Sequence, residues 1–186
     1  MQLVFETHSL TTDNEHGVAT GWLGGRLSDR GRPLATELGA RRRDDGIDLV
    51  ISSDLARAVE TARIAFAATT LPVVLDWRLR ELDYGDLNSG PVDAVARERA
   101  VRVEEPFRAG ESYRDAVVRV GELLDEVRAE RPGQRILLIG HTATRWALDH
   151  LLDGAPLEDV VGEPFEWREG WEYVLGPHTL AAGASP

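Results

Sequence analysis

Four consecutive aliphatic residues, Ile136, Leu137, Leu138 and Ile139, stand between Arg135 and a Gly140-His141 pair. So short an unbroken apolar run is the pattern of a strand covered on both faces, and such a strand belongs to the interior of a parallel sheet. It carries no alternation that could leave one face in water. The rest of the chain must therefore provide helices for both sides of it.

Strand patterns occur at 2–6, 47–52, 71–76, 135–140 and 171–175, with helical patterns between them. Ser28 reads as the cap of a helix that carries Leu34 and Leu38, tolerates Pro33 near its start and stops before Gly46. Ser53 reads as the cap of the next, which carries Leu55, Val59 and Ala62. Ser112 with Asp115 makes a capping box for the longest helix, where Val117, Val120, Leu124 and Val127 recur at helical spacing until Pro132 and Gly133. Thr142 starts a further helix through Leu152, ended by Gly154. This alternation predicts a three-layer α/β/α fold around a mostly parallel sheet.

No internal repeat, low-complexity tract or linker interrupts the pattern, so 1–186 is expected to form one domain. The least regular stretch is 88–108, with a helix expected over 92–103. It reads either as a small cap over a site or as a surface excursion.

Composition excludes several classes. The chain has no cysteine, which removes disulfide frameworks and thiolate zinc sites. Its 21 basic residues against 32 acidic ones give a formal charge of -11, which opposes nonspecific binding to nucleic acid or to an anionic membrane. The first residues lack a basic start followed by a long apolar run, and no apolar stretch reaches spanning length, so a cytoplasmic location is expected. The cations are arginines, whose planar fork matches phosphate or carboxylate oxygens; most of them, Arg41 to Arg43 among them, read as solvated helix residues.

His8 and His141 each follow directly on a strand pattern, and Arg57 and Glu81 come just after two more. Carboxyl ends of strands in an open α/β sheet converge on one crevice, so these four distant residues are expected to share a site. Together they suit phosphoryl chemistry. A neutral imidazole at His8 can attack phosphorus, provided its other ring nitrogen donates to a carbonyl or carboxylate. Arg57, one turn into its helix, can lean back to bind equatorial oxygens. His141, before the start of a helix, sits where unpaired backbone N–H groups favour an anion, and as an imidazolium it would stabilise the transition state. Glu81 can protonate the leaving oxygen and then deprotonate water; the alternative is an ion pair with Arg78 or Arg80.

The same blocks resemble the histidine phosphatase superfamily, also called phosphoglycerate mutase-like. His8 is followed at matching spacing by Asn14, Gly17, Gly21, Trp22, Leu27, Ser28 and Gly31. The blocks 52–62, 79–85, 110–113 and 140–141 follow in the family's order. The resemblance implies that His8 is the nucleophile, Arg57 the phosphate-binding arginine, Glu81 the proton donor and His141 the second histidine.

Thr7 stands where the family signature has arginine, and Ser9 where it has glycine. Arg145 comes one residue sooner after His141 than the family places its arginine. Thr7 offers no guanidinium, which leaves Arg145 and Arg26 as candidates to replace it; for Arg145, pairing with Asp149 is the alternative. Asn14 and the hydroxyls of Thr7, Ser9 and Thr142 are expected to add hydrogen bonds to the substrate. Trp22 and Tyr84 read as packing under a loop, and Trp167, Trp171 and Tyr173 as a half-buried strand. His16, His150 and His178 lack ligand spacing, so neither a metal nor a cofactor is expected.

The function implied is a metal-independent phosphatase that hydrolyses a small phosphorylated molecule through phospho-His8. A phosphoglycerate-type mutase, and a catalytically weak phosphate-binding or regulatory module of the same fold, are the alternatives. The sequence names neither the substrate nor the oligomeric state.

Overall fold

The apolar run 136–139 lies at the centre of a five-stranded sheet in the computed structural model, which describes residues 1–176; His178 lies outside them. The chain begins with β1 (Gln2–Thr7), α1 (Thr12–Glu15), β2 (Val18–Ala19), α2 (Gly31–Arg42), β3 (Leu49–Ser52) and α3 (Ala56–Ala65). It continues through β4 (Val73–Leu75), β5 (Gly90–Pro91), α4 (Val92–Glu98) and α5 (Tyr113–Glu130). It ends with β6 (Arg135–Gly140), α6 (Thr142–Asp153), α7 (Leu157–Gly162) and β7 (Trp171–Val174). The sheet order is β4-β3-β6-β1-β7, with β7 antiparallel to β1 and every other pairing parallel.

Each residue of the apolar run is fully buried. Side chains alternate across a strand, so Ile136 and Leu138 enter one apolar cluster with Leu124, Trp146 and Leu151 of α5 and α6. Leu137 and Ile139 enter another, with Leu38 of α2 and Ala58 and Ala62 of α3. Two helical layers on one sheet follow from that division. No helix among the described residues is long and apolar enough to cross a membrane.

The capping box of Ser112 and Asp115 forms as expected, and Gly154 ends α6 in a left-handed conformation at φ 71°. Two other caps differ. Ser28 sits ahead of the helix, where its hydroxyl accepts from Gly31 N–H at 3.1 Å, and α2 starts only at Gly31. A side chain at Gly31 would collide with the Leu10 carbonyl, so glycine lets α2 begin against the loop that follows His8. Ser53 caps nothing in the usual sense: α3 starts at Ala56, and the Ser53 hydroxyl is drawn into the site.

The helix expected over 92–103 splits into α4 and a single 3-10 turn at Val101–Val103. This excursion buries Val95, Val103 and Phe107 against Tyr84 and Tyr113. Trp171 and Tyr173 are buried, with Val174 exposed, as a half-buried strand requires. Trp167 precedes that strand and stands 57% exposed.

Candidate active site

β1 carries the chain to the carboxyl edge of the sheet, where His8 N–H donates to the Gly140 carbonyl at 2.9 Å. That bond ties the residue after β1 to the end of β6. The His8 and His141 rings consequently lie with centroids 4.9 Å apart.

The His8 ring is oriented by its neighbours. Nδ1 lies 2.7 Å from the Ser9 carbonyl, and because a carbonyl only accepts, Nδ1 must carry the hydrogen. Nε2 then presents its lone pair, to which Arg57 Nε donates at 3.3 Å. Burial, reinforced by the Arg57 charge, pushes the His8 pKa down to about 3. The sequence requires such an acceptor for Nδ1 without naming it, and the fold supplies the adjacent carbonyl.

Arg57 lies in the first turn of α3 and is 2% exposed. Its two terminal nitrogens donate to the carbonyls of Leu23 and Gly21, at 3.1 and 2.8 Å. The guanidinium thus reaches the strand-end crevice as expected, and it also pins the loop after β2 over the site.

His141 is almost wholly buried at the start of α6. Its Nε2 stands 3.0 Å from Ser53 Oγ, which itself accepts from Leu55 N–H at 3.3 Å. A hydroxyl oxygen keeps a second lone pair, so at this contact Ser53 Oγ can either donate to Nε2 or accept from it, according to the His141 tautomer. Nδ1 is buried and has no partner among the described residues. Burial, then the nearby Arg57 and His8, hold the His141 pKa well below its ordinary value. The imidazolium is expected of the transition state; in the free protein burial favours the uncharged ring.

Glu81 brings a correction. The amides at the start of α6 are not free for an anion, because Ala143 N–H and Thr142 N–H donate to its carboxylate at 3.0 and 3.3 Å. Leu82 N–H adds a third bond at 2.9 Å. The ion pair with Arg78 or Arg80 does not form: Arg78 bonds Asp76 and Glu126, and Arg80 bonds Asp54 through two nitrogens. The Glu81 backbone is fixed as well, since Trp22 Nε1 donates to its carbonyl at 2.7 Å and Arg119 at 3.1 Å.

The other expected site residues divide. Thr7, Asn14 and Thr142 line a cleft of about 400 Å³ together with His8 and His141. Asn14 accepts from Thr11 N–H through Oδ1 at 3.1 Å, which leaves its amide NH₂ as the donating end. Ser9 also borders the cleft, but its hydroxyl donates to Gly31 at 2.7 Å and its N–H to Thr61 at 2.9 Å, so its polar groups serve the fold. Arg145 does not reach the site: it pairs with Asp149 at 2.7 Å and stacks over Trp171 at 4.8 Å, beside a separate cleft. Arg26 likewise borders a different depression, with Thr12 and Glu15. Neither borders the cleft that His8 lines, the place expected of both. The excursion 88–108 adds no lining residue to the cleft. Among the described residues, no group of three or more His, Asp or Glu is placed to hold a metal.

Ser53 is the functional neighbour that sequence reading misses. It directly follows β3, and the strand-end criterion that selects His8 and His141 selects it too once the helix-cap reading is set aside.

The chain is similar to known proteins over most of its length. The sequence profile of the histidine phosphatase superfamily (branch 1) matches residues 3–164. A probable phosphoglycerate mutase GpmB of Enterobacter sp. (strain 638) is 32% identical over 164 residues, covering 84% of this chain and 76% of the relative. Bacillus stearothermophilus YhfR superposes with a TM-score of 0.82 at 25% identity, covering 92% of this chain and 89% of that one. A mycobacterial glucosyl-3-phosphoglycerate phosphatase in complex with VO3 superposes with a TM-score of 0.75 at 30% identity, covering 86% and 85%.

Proposed function

Because this chain belongs to the histidine phosphatase superfamily (branch 1), we propose that it is a metal-independent phosphatase acting on a small phosphorylated molecule through phospho-His8. The carrying observation is the state of His8, neutral with Nδ1 bound to a carbonyl and Nε2 bearing the lone pair. In the first step Nε2 forms a bond to phosphorus while the bond from phosphorus to the leaving oxygen breaks. Glu81 gives that oxygen a proton, from Oε2, the carboxyl oxygen with the single longer backbone contact. In the second step water attacks phosphorus, Glu81 takes its proton, and the bond to Nε2 breaks to release phosphate.

His141 Nδ1–H donates to a phosphoryl oxygen, satisfying a nitrogen that is otherwise buried without a partner. A phosphoryl dianion beside it favours the charged imidazole, so protonation of His141 belongs to the liganded state. Arg57 contributes positive charge beside the attacking nitrogen.

A phosphomonoester panel assayed with and without chelator tests this reading. Rates are expected to be indifferent to chelator and to fall by roughly 10³ or more in His8→Ala. An alkaline denaturing quench, which preserves the acid-labile phosphorus–nitrogen bond, should leave label from phosphorus-labelled substrate on the natural chain and none on the variant. Dependence on metal, or an active variant, would end the proposal.

The relatives named probable phosphoglycerate mutase support a second reading, transfer to another hydroxyl instead of water. Two arginines in the excursion are engaged elsewhere, Arg99 over the Trp146 ring and Arg102 with Glu98, which favours water as the acceptor. Partition of labelled phosphoryl between water and added glycerate acceptors separates the two.

A further inference from the structure

The cleft lined by His8 and His141 continues past them along α2, with Leu34, Glu37, Leu38 and Arg41. Leu34, Leu38 and Arg41 fall on one face of that helix at spacings of four and three residues, spanning roughly 10 Å of its axis. Phe165 and Trp167 form part of the lining of the same cleft. Leu34 is 41% and Trp167 57% exposed, so large apolar side chains stand open to solvent in the same cleft as the histidines.

The far end offers no free charge for an anionic tail. Glu6 is buried there between Arg42, at 2.8 Å, and Arg41, at 3.5 Å, and Glu37 stands exposed beside them. Asp45 adds a second carboxylate to Arg42 at 2.9 Å and Glu169 one to Arg41 at 3.8 Å, so both guanidiniums are answered, and a second phosphate or a carboxylate on the ligand would meet Glu37 unopposed.

We propose that the substrate is a phosphomonoester whose organic part is neutral and apolar, seated in the trough between α2 and the pair Phe165 and Trp167. This rests on the phosphatase reading, since it takes the phosphoryl group to sit at His8. Continuity fixes the occupant: a group bonded to phosphorus at His8 has this trough as its apolar exit. The trough therefore determines specificity, and a glycerate-type substrate, carrying its own carboxylate, is disfavoured.

The test uses monoesters whose leaving alcohols have similar acidity, so that chemistry stays constant while apolar surface grows: ethyl, butyl and hexyl phosphate, with glycerol phosphate as the polar member. Hexyl phosphate is expected to exceed ethyl phosphate in kcat/KM by about tenfold or more. Leu34→Asp and Trp167→Ala, both at lining residues of the cleft, should each pull that ratio toward one. A flat series, or a ratio that neither variant moves, would overturn the inference.

Binding of hexylphosphonate against methylphosphonate, measured by calorimetry on the natural chain, separates the two proposals. If no monoester is turned over but hexylphosphonate binds tighter and the variants abolish the difference, the phosphatase reading fails and the trough stands. Equal binding of both phosphonates without turnover defeats both.

Discussion

Burial and the Arg57 charge keep His8 unprotonated down to about pH 3, and this has a cost in acid. The unfolded chain binds a proton at the ordinary histidine value of 6.5 while the folded chain does not, so stability is whole above pH 6.5 and declines as pH falls from there toward 3. His141 is depressed for the same first cause, burial, and adds in the same direction. Each group contributes a slope of at most about 1.4 kcal/mol per pH unit. Denaturant titrations of His8→Asn at pH 7 and pH 5 should therefore show a smaller loss between the two than the natural chain does; an equal loss would mean His8 titrates normally. Position 7 carries the other residue-scale expectation. Losing one preorganised donor to a developing oxyanion costs on the order of 10²–10³ in rate, and Thr7 borders the cleft beside His8. Thr7→Arg should raise kcat on small phosphomonoesters at least tenfold, by roughly the lower half of that range. A flat or lower kcat would indicate that Thr7 belongs to a site built around a different group.

At the scale of elements, the start of α6 does two things at once. Its first amides are satisfied by Glu81, so one carboxyl group caps the helix and, in the proposed reaction, supplies the proton. Glu81→Gln should cost about 1 kcal/mol in thermal unfolding through the weakened cap. It should also slow alkyl phosphates, whose leaving oxygen needs a proton, far more than p-nitrophenyl phosphate, whose leaving group does not. Equal slowing of both would place Glu81 in structure alone. The end of β3 supports the second histidine in a comparable way, since Ser53 holds His141 Nε2. Ser53→Ala is expected to lower kcat about tenfold and Ser53→Thr to restore most of it, a rescue that a purely structural role would not produce in the pH profile of kcat.

Over the whole molecule, the sheet is the frame on which the site is hung. β6 is paired on both sides and covered on both faces, and its end sets His141 beside His8. Leu138→Ala would open a cavity at its centre and should cost 2–5 kcal/mol, an order-of-magnitude range of about that size for buried leucines, read as a shift in denaturant midpoint with kcat little changed in the folded fraction. The exposed hydrophobics along edge strand β4, Val73 to Leu75, lie on the opposite border of the sheet from β7 and take no part in the cleft.

The amino-acid sequence by itself determined the alternation of strand and helix, the central place of the apolar run and the four strand-end residues. Those follow from side-chain period and from polar residues placed where apolar patterns stop. It also held the Ser112 and Asp115 cap, because a capping box is local in sequence. Only the tertiary structure decided which polar groups are already satisfied. Arg145 closes on Asp149 within its own helix, Ser9 is taken by Gly31, and Glu81 reaches amides 61 and 62 residues away. Hydrogen-bond partners separated so far along the chain leave no local pattern. That His141 Nδ1 stays without a partner among the described residues while His8 Nε2 faces the Arg57 guanidinium is therefore a property of the packed molecule.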